Sequence, residues 1–390
     1  MASATLLLAV VYAAFISLGL PDGALGVAWP AMRAELGQPL EALGLVTVLL
    51  TLGSALSGFA SGRVLARLGT PRVVLLSGLA TGLSLLGFAL APSYALIIIL
   101  ALPLGFGAGS VDAGLNHYAA ERWSSRHMNW LHASWGLGAT LGPLAVTMAI
   151  ALGSSWRSGY FIISGAQLSL ALIFLLSLGL WDKAPPHKAA HAEGPASAGA
   201  ATKKLALILA PLGYALYAGV EVGIGAWAAS VLRDGRGFSP GVAGGIAAAY
   251  YAAITLGRVI SGLIADRVGN RRMVRAGLAV AGLGLGLFAI DLGPLAALTG
   301  IVFIGLGYAP IYPCLMHETP RRFDAATTRK VVGRQVASAY LGGMLLPPLI
   351  GLAAGSFGLW AVAPMAGLYL ALLALDLWLL DRLTPPLRAA

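Results

Sequence analysis

Three acids lie well inside stretches of the chain that are otherwise apolar: Asp22, Asp112 and Glu221. A carboxylate at bilayer depth costs at least about 2.5 kcal/mol, so it is retained where it faces a partner or a water-filled path. The chemistry open to such a group is proton binding and release across the membrane. Asp112 and Asn116 stand four apart within GFGAGSVDAGLNHY (105–118), so on a helix they share one face. Gly105, Gly107 and Gly109 in the same segment allow a neighbouring backbone to come close. At 1.5 Å per residue, Asp22 and Glu221 fall roughly 5–6 Å to one side of the midplane and Asp112 roughly 7–8 Å to the other. An acid on either side of centre suits a proton relay. Asp22 follows Pro21, so capping backbone N–H groups freed at a helix break is its competing role.

Recognition of a hydroxylated solute calls for hydrogen-bonding groups interleaved with aromatic faces. Tyr214, Tyr217 and Glu221 recur at i, i+3 and i+7, and Asn129, His132 and Trp135 form a second stripe. Tyr250 and Tyr251 lie mid-segment, while Asn116, Gln335 and Gln167 add amides. Trp135 is about 10 Å deep, too far in for a simple interface anchor. An aromatic stripe at helical spacing is equally the pattern of packing. His132 has two readings, a third proton site or a hydrogen-bond donor. Tyr308 and Tyr312, beside Pro310 and Pro313, suggest a bending gate. Asp291 and Asp376 fall near helix ends, where solvation is expected. With no Lys or Arg read deep in a helix, an anionic solute is disfavoured, because it would want a buried cation.

The elements that must carry these groups follow from composition. The 390 residues are 58% hydrophobic and 10% charged, against roughly 45–50% and 25% in a soluble domain. Apolar runs of roughly 20 residues, enough to span a bilayer, lie near 5–31, 41–62, 73–92, 95–119, 128–153, 158–181, 204–232, 240–263, 273–291, 294–317, 331–355 and 358–380. The chain is therefore expected to be an all-α membrane protein with twelve transmembrane helices in two pseudo-symmetric six-helix bundles. Residues 1–181 form the first bundle, 182–203 a linker rich in Ala, Pro, Gly and charge, and 204–390 the second. The N-terminal run lacks a basic flank and reads as a first spanning helix, not a cleaved signal. One cysteine, Cys314, excludes an internal disulfide and a cysteine-built metal site.

The net charge of +10 would suggest nucleic acid in a soluble protein, but here the basic residues occupy the gaps between apolar runs. Of 25 Lys and Arg residues, all but Arg33, Arg157, Arg233 and Arg236 fall on one side of the expected membrane, and Arg258 is counted with that majority. The excess places both termini and the linker in the cytoplasm of a multi-pass cell-membrane protein, a bacterial inner membrane being the expected setting.

The halves repeat each other. Ser61-Gly62 through Arg67, Gly69 and Arg72 matches Ser261-Gly262 through Arg267, Gly269 and Arg272 at an offset of 200, and Asp22 matches Glu221 at 199. Parallel repeats of this kind imply a solute site at their interface and alternating access by rocking one half against the other.

GRVLARLGTPR (62–72) and GLIADRVGNRR (262–272), between the second and third and the eighth and ninth spans, resemble the repeated signature loop of the major facilitator superfamily. Its acid is kept at Asp266 and replaced by Ala66 in the first copy, which puts the charge-relay role in question there. The arginines and the acid of these loops, Arg63, Arg67, Arg72, Asp266, Arg267 and Arg271, are the expected cytoplasmic gate, binding helix C-terminal carbonyls. SVDAGLNHY (110–118), NWLHASWGLGATLGP (129–143) and YALYAGVEVGIGAW (214–227) further resemble the fourth, fifth and seventh helices of the fucose permease-like branch.

That resemblance implies a proton-coupled symporter of a neutral sugar or similar polyhydroxylated solute. Asp112, Glu221 and Asp22 would serve the proton, and Asn116, Asn129, His132, Trp135, Tyr214, Tyr217, Glu221, Tyr250, Tyr251 and Gln335 the solute. The rival reading is a proton-coupled exporter of drugs or organic cations, supported by Gly138 with Gly142-Pro143, part of an antiporter signature. A sensor that keeps the fold without transporting is a third. No enzyme motif, cofactor or metal is expected, protons being the coupling ion. The expected partners are a small solute and the lipid bilayer, with no nucleic acid, and the expected state is a monomer.

Overall fold

A computed structural model of the chain describes residues 2–22, 24–39, 42–183 and 200–384. These form fourteen α-helices, and no strand occurs among the described residues. In the first half they are α1 (Ala2–Gly19), α2 (Ala24–Glu35), α3 (Leu43–Leu68), α4 (Thr70–Leu90), α5 (Tyr94–Arg122), α6 (Ser125–Ala151) and α7 (Trp156–Ser177). In the second they are α8 (Ala200–Ser230), α9 (Pro240–Val268), α10 (Asn270–Ala289), α11 (Pro294–Tyr308), α12 (Ile311–Arg322), α13 (Ala325–Phe357) and α14 (Val362–Leu383). Twelve helical stretches among the described residues are long and apolar enough to cross a membrane. This is the all-α architecture expected from the sequence.

The difference between fourteen helices and twelve spans has a local cause. The first span, Thr5–Trp29, breaks between α1 and α2. Pro21 has no N–H to continue the helix, and the Asp22 N–H turns back to the Gly19 carbonyl at 3.0 Å. The tenth span, Pro294–Arg322, is jointed at Ala309-Pro310, between α11 and α12. Gly69 and Gly269 end α3 and α9 with φ of 75° and 86°, a backbone shape that L side chains resist. The glycine of each signature loop thus makes the corner between two long helices.

The chain divides into two compact units. One holds Met1–Arg122, Leu131–His187 and Val332–Ala337; the other holds Trp123–Trp130, Lys188–Val331 and Ser338–Ala390. Of the expected linker, residues 184–199 lie outside the described residues. In the first unit, Gly105 and Gly109 of α5 face the α3 backbone at Leu50 and Ser54, where a Cβ would collide. Trp29, Phe88, Trp156 and Tyr160 build an apolar core there. At its edge Arg157 donates to Glu35 at 2.8 Å and to the Ala89 carbonyl that ends α4 at 2.9 Å, and the Trp156 indole donates to Glu35 at 2.6 Å. The Arg157 hydrogen bond, aided by that of Trp156, holds the Glu35 carboxyl below the usual carboxylate range.

Candidate functional site

In the first unit, α5 and α6 together build a chain of polar groups. The Asn116 amide donates to the Asp112 carboxylate at 2.6 Å and to the Asp112 carbonyl at 2.9 Å. Its oxygen lies 3.0 Å from Nε2 of His132. Asn116 and His132 are buried, Asp112 is half-buried, and the Phe15 ring meets the imidazole edge-on at 5.3 Å. A carboxylate, an amide and an imidazole are thereby joined in one line, with the carboxylate at the more accessible end. Such a line can hold a proton at Asp112 and respond to its presence at His132 through the reorientable amide.

One turn further along α6, the Trp135 indole donates to Asp22 at 2.9 Å. The approach depends on Gly138 and Gly142, against which rest the carbonyls of Ile16 in α1 and of Leu20 just past its end. Asp22 is therefore held by a side chain as well as placed by the helix break. Ser17 donates to Gln167 at 2.8 Å, which draws Gln167 into the packing of α1 against α7. Gln335 is buried in the segment of α13 that clusters with this unit.

The second unit treats its acid differently. Arg258 of α9 is 4% exposed and places Nη2 at 3.1 Å from Glu221 and 3.5 Å from the Tyr217 hydroxyl. α9 continues ten residues past Arg258 to Val268, so the guanidinium sits about 15 Å from that helix end. The expectation that no Lys or Arg lies deep in a helix is overturned, and Arg258 does not belong with the loop arginines. Arg258 falls inside the apolar run 240–263 itself, five residues from its end, and the helix extends a further five residues to Val268. Asp376, expected to be solvated, is 4% exposed and abuts α8 at Gly213; Asp291 is exposed.

Tyrosines surround the Glu221–Arg258 pair. The Tyr250 hydroxyl donates to the Glu221 carbonyl at 3.1 Å and the Tyr214 hydroxyl to the Tyr312 carbonyl at 3.2 Å. Tyr217 stacks near Tyr308 and Tyr312, with centroids 5.3 and 5.7 Å away. Tyr214, Tyr217, Tyr250 and Tyr308 are buried, whereas Tyr251 is about half exposed with its hydroxyl over Gly225. Tyr308 and Tyr312 flank the α11–α12 joint and also belong to this cluster. Asn129 lies apart from it, donating to the Ser125 carbonyl at 2.9 Å and reaching Cys314 at 3.8 Å.

At the basic end of the same unit, Asp266 accepts the Arg126 N–H at 3.2 Å, where α6 begins. Arg271 donates to Glu318 at 2.8 Å and to the Thr384 carbonyl that closes α14 at 2.9 Å. Arg63, Arg67, Arg72 and Arg267 are exposed. His317 was not singled out by sequence: its Nδ1 lies 2.9 Å from the Ser125 hydroxyl and its Nε2 2.8 Å from the Trp123 carbonyl. A signal was present in the repeat, since His117 and His317 stand at the 200-residue offset and both are buried.

The profile of the family described as Major Facilitator Superfamily matches residues 11–217 and 210–390. An uncharacterised MFS-type transporter from Yersinia pestis is 27% identical over 87% of this chain and 86% of its own. The cis,cis-muconate transport protein of Acinetobacter baylyi is 23% identical over 92% and 90%. Among solved structures, the proton:xylose symporter XylE bound to 6-bromo-6-deoxy-D-glucose superposes with a TM-score of 0.79 at 14% identity, covering 95% of this chain and 94% of that one. The transporter FucP in its outward conformation gives 0.78 at 14% identity, covering 96% and 98%.

Proposed function

Because the chain belongs to the Major Facilitator Superfamily of transporters, we propose that it performs proton-coupled symport of a neutral sugar or similar polyhydroxylated solute. The observation that carries this reading is the Asp112–Asn116–His132 line, in which a single carboxylate accepts from an amide that also meets an imidazole. Protonation of Asp112 removes an acceptor from the Asn116 amide, and the change reaches His132 without any charge crossing apolar packing. Asp22, held by Trp135, is the second proton group of this unit, and Glu221 serves the other. Tyr214, Tyr217, Tyr250, Tyr251, Asn116, Trp135 and Gln335 supply hydroxyls, amides and ring faces to the solute. Each set of groups is offered to the two sides of the membrane in turn, with both termini cytoplasmic in a bacterial inner membrane. The sugar-symporter folds among the structural neighbours support the choice of solute.

The test is a pH recording on weakly buffered proteoliposomes. Addition of the transported sugar alkalinises the outside, and a panel of sugars that produces neither uptake nor a pH change overturns the reading.

Arg258 favours a second reading, a solute bearing a carboxylate. When Glu221 takes a proton, the guanidinium is released to bind an anion bidentately, and a muconate transporter is among the relatives. Proton-coupled uptake of a dicarboxylate, lost in Arg258→Gln and absent for sugars, would select it. The organic-cation exporter gains nothing from a guanidinium beside its candidate acid.

A further inference from the structure

On the second unit, two cavities of about 260 and 530 Å³ run end to end between α10 and α14. Leu278 and Ala374 line both, so they form one groove. Its upper part is floored by small residues, Gly282 and Gly286 on α10 and Gly367 and Ala371 on α14, and holds no charged group. Its lower part ends on Arg271, Arg275, Arg322, Glu318 and Asp381, beside the ring of Trp378.

The charge at that end is unbalanced. Asp381 accepts from Arg322 at 2.7 Å, Arg275 at 2.9 Å and Arg271 at 3.5 Å, while Glu318 takes Arg271 and, at 3.6 Å, Arg321. Arg382 lies 3.8 Å above the Trp378 ring. Four guanidiniums thus share two carboxylates, a fifth rests on the Trp378 ring, and the Arg275 side chain remains two-thirds exposed at the rim. From Arg275 to Ala289, α10 offers about 21 Å of groove, more than the roughly 15 Å of hydrocarbon in one leaflet.

We propose that this groove binds an anionic diacyl phospholipid, with one acyl chain along the small-residue floor between α10 and α14 and the phosphate diester on Arg275 and Arg382. The apolar floor accounts for the chain, and the surplus of guanidiniums accounts for a headgroup that carries no compensating amine. The ion pairs beneath fix α12 and α14 to α10, so a bound lipid fastens the three helices at one membrane face.

The full-length protein, purified in mild detergent, is titrated with phosphatidylglycerol or phosphatidylcholine of matched chains, with Tm and lipid retained on native mass spectra as readouts. Phosphatidylglycerol is expected to be retained at least about tenfold better and to raise Tm. Arg275→Gln/Arg382→Gln, both at the rim, should remove most of that preference and keep the lipid-free Tm, while Gly286→Leu should lose both lipids. Equal retention of the two lipids overturns the proposal. So does an equal Tm rise with inorganic phosphate alone, which would make this a plain anion site. Self-association that Gly286→Leu abolishes while lipid retention stays would assign the groove to a second copy of the chain and overturn it as well.

Discussion

The two repeats place an acid at matching points, Asp22 and Glu221, and surround them with opposite chemistry. In the first unit Asp22 accepts from an indole and Asp112 from an amide, both uncharged donors. In the second, Glu221 accepts from a guanidinium buried among tyrosines. The position matching Arg258 at the 200-residue offset is Gly58, so the cation belongs to one repeat alone. A carboxylate held by a neutral donor changes the net charge of that pair when it takes a proton. One held by a guanidinium passes the change on, because protonation frees a fixed cation for another anion. The two repeats are therefore similar scaffolds that set their matching acids in unlike surroundings, and on the proposed function the first unit would handle the proton and the second the charge of the solute.

Substitutions that exchange or erase this contrast test it. The largest effect is expected for Asp112→Asn, which keeps the shape and the amide contact but cannot cycle a proton. Uphill uptake in proteoliposomes should be lost, because an ionisable group kept in the membrane is there for its function, while solute binding by thermal shift is largely retained. Continued accumulation against a gradient would make the acid structural.

Arg258→Ala follows, since it strands Glu221 beside buried hydroxyls. Loss of one member of a buried pair is worth about 3–5 kcal/mol, visible as a lower Tm. The double variant Glu221→Gln/Arg258→Met should recover most of it and yet lose any response to carboxylates.

Within the first unit, Asn116→Ala breaks the link between Asp112 and His132 and should cost about 1.5–3 kcal/mol, as for a hydrogen bond to a charged group. It is also expected to alter the pH profile of uptake, a readout that simple loss of packing leaves in place. The smallest effect belongs to Glu35→Gln, outside the spans. Its carboxyl is held low chiefly by Arg157, so the pair stabilises the folded state fully above the unfolded carboxyl value and less as pH falls through the folded one. The exposed pair is worth under about 1 kcal/mol. Wild type and variant should therefore differ in Tm at neutral pH and converge in acid.

The sequence by itself determined the spans and the break after Pro21, which are written in neighbouring residues, and the repeat, which is written in matching stretches about 200 residues apart; the corners at Gly69 and Gly269 are found in the structure, on positions the repeat had already paired. Apolar length reports the bilayer and a missing N–H stops a helix, both without reference to distant parts of the chain. The sequence also picked out the acids and the aromatic stripes, since an ionisable group in an apolar run is legible wherever it falls. Only tertiary structure decided what each acid meets. Trp135 is 113 residues from Asp22, and Arg258 is 37 from Glu221, on separate helices whose rotation no local pattern fixes. Arg258 escaped notice for a related reason: it stands inside the apolar run 240–263, but only its pairing with Glu221 from another helix shows that it faces the interior and not the cytoplasmic loop. Asp376 likewise owes its burial to the packing of α14 against α8, and the partners of His317, Trp123 and Ser125 on one side and Asn270 on the other, come from two separated segments that packing alone assembles.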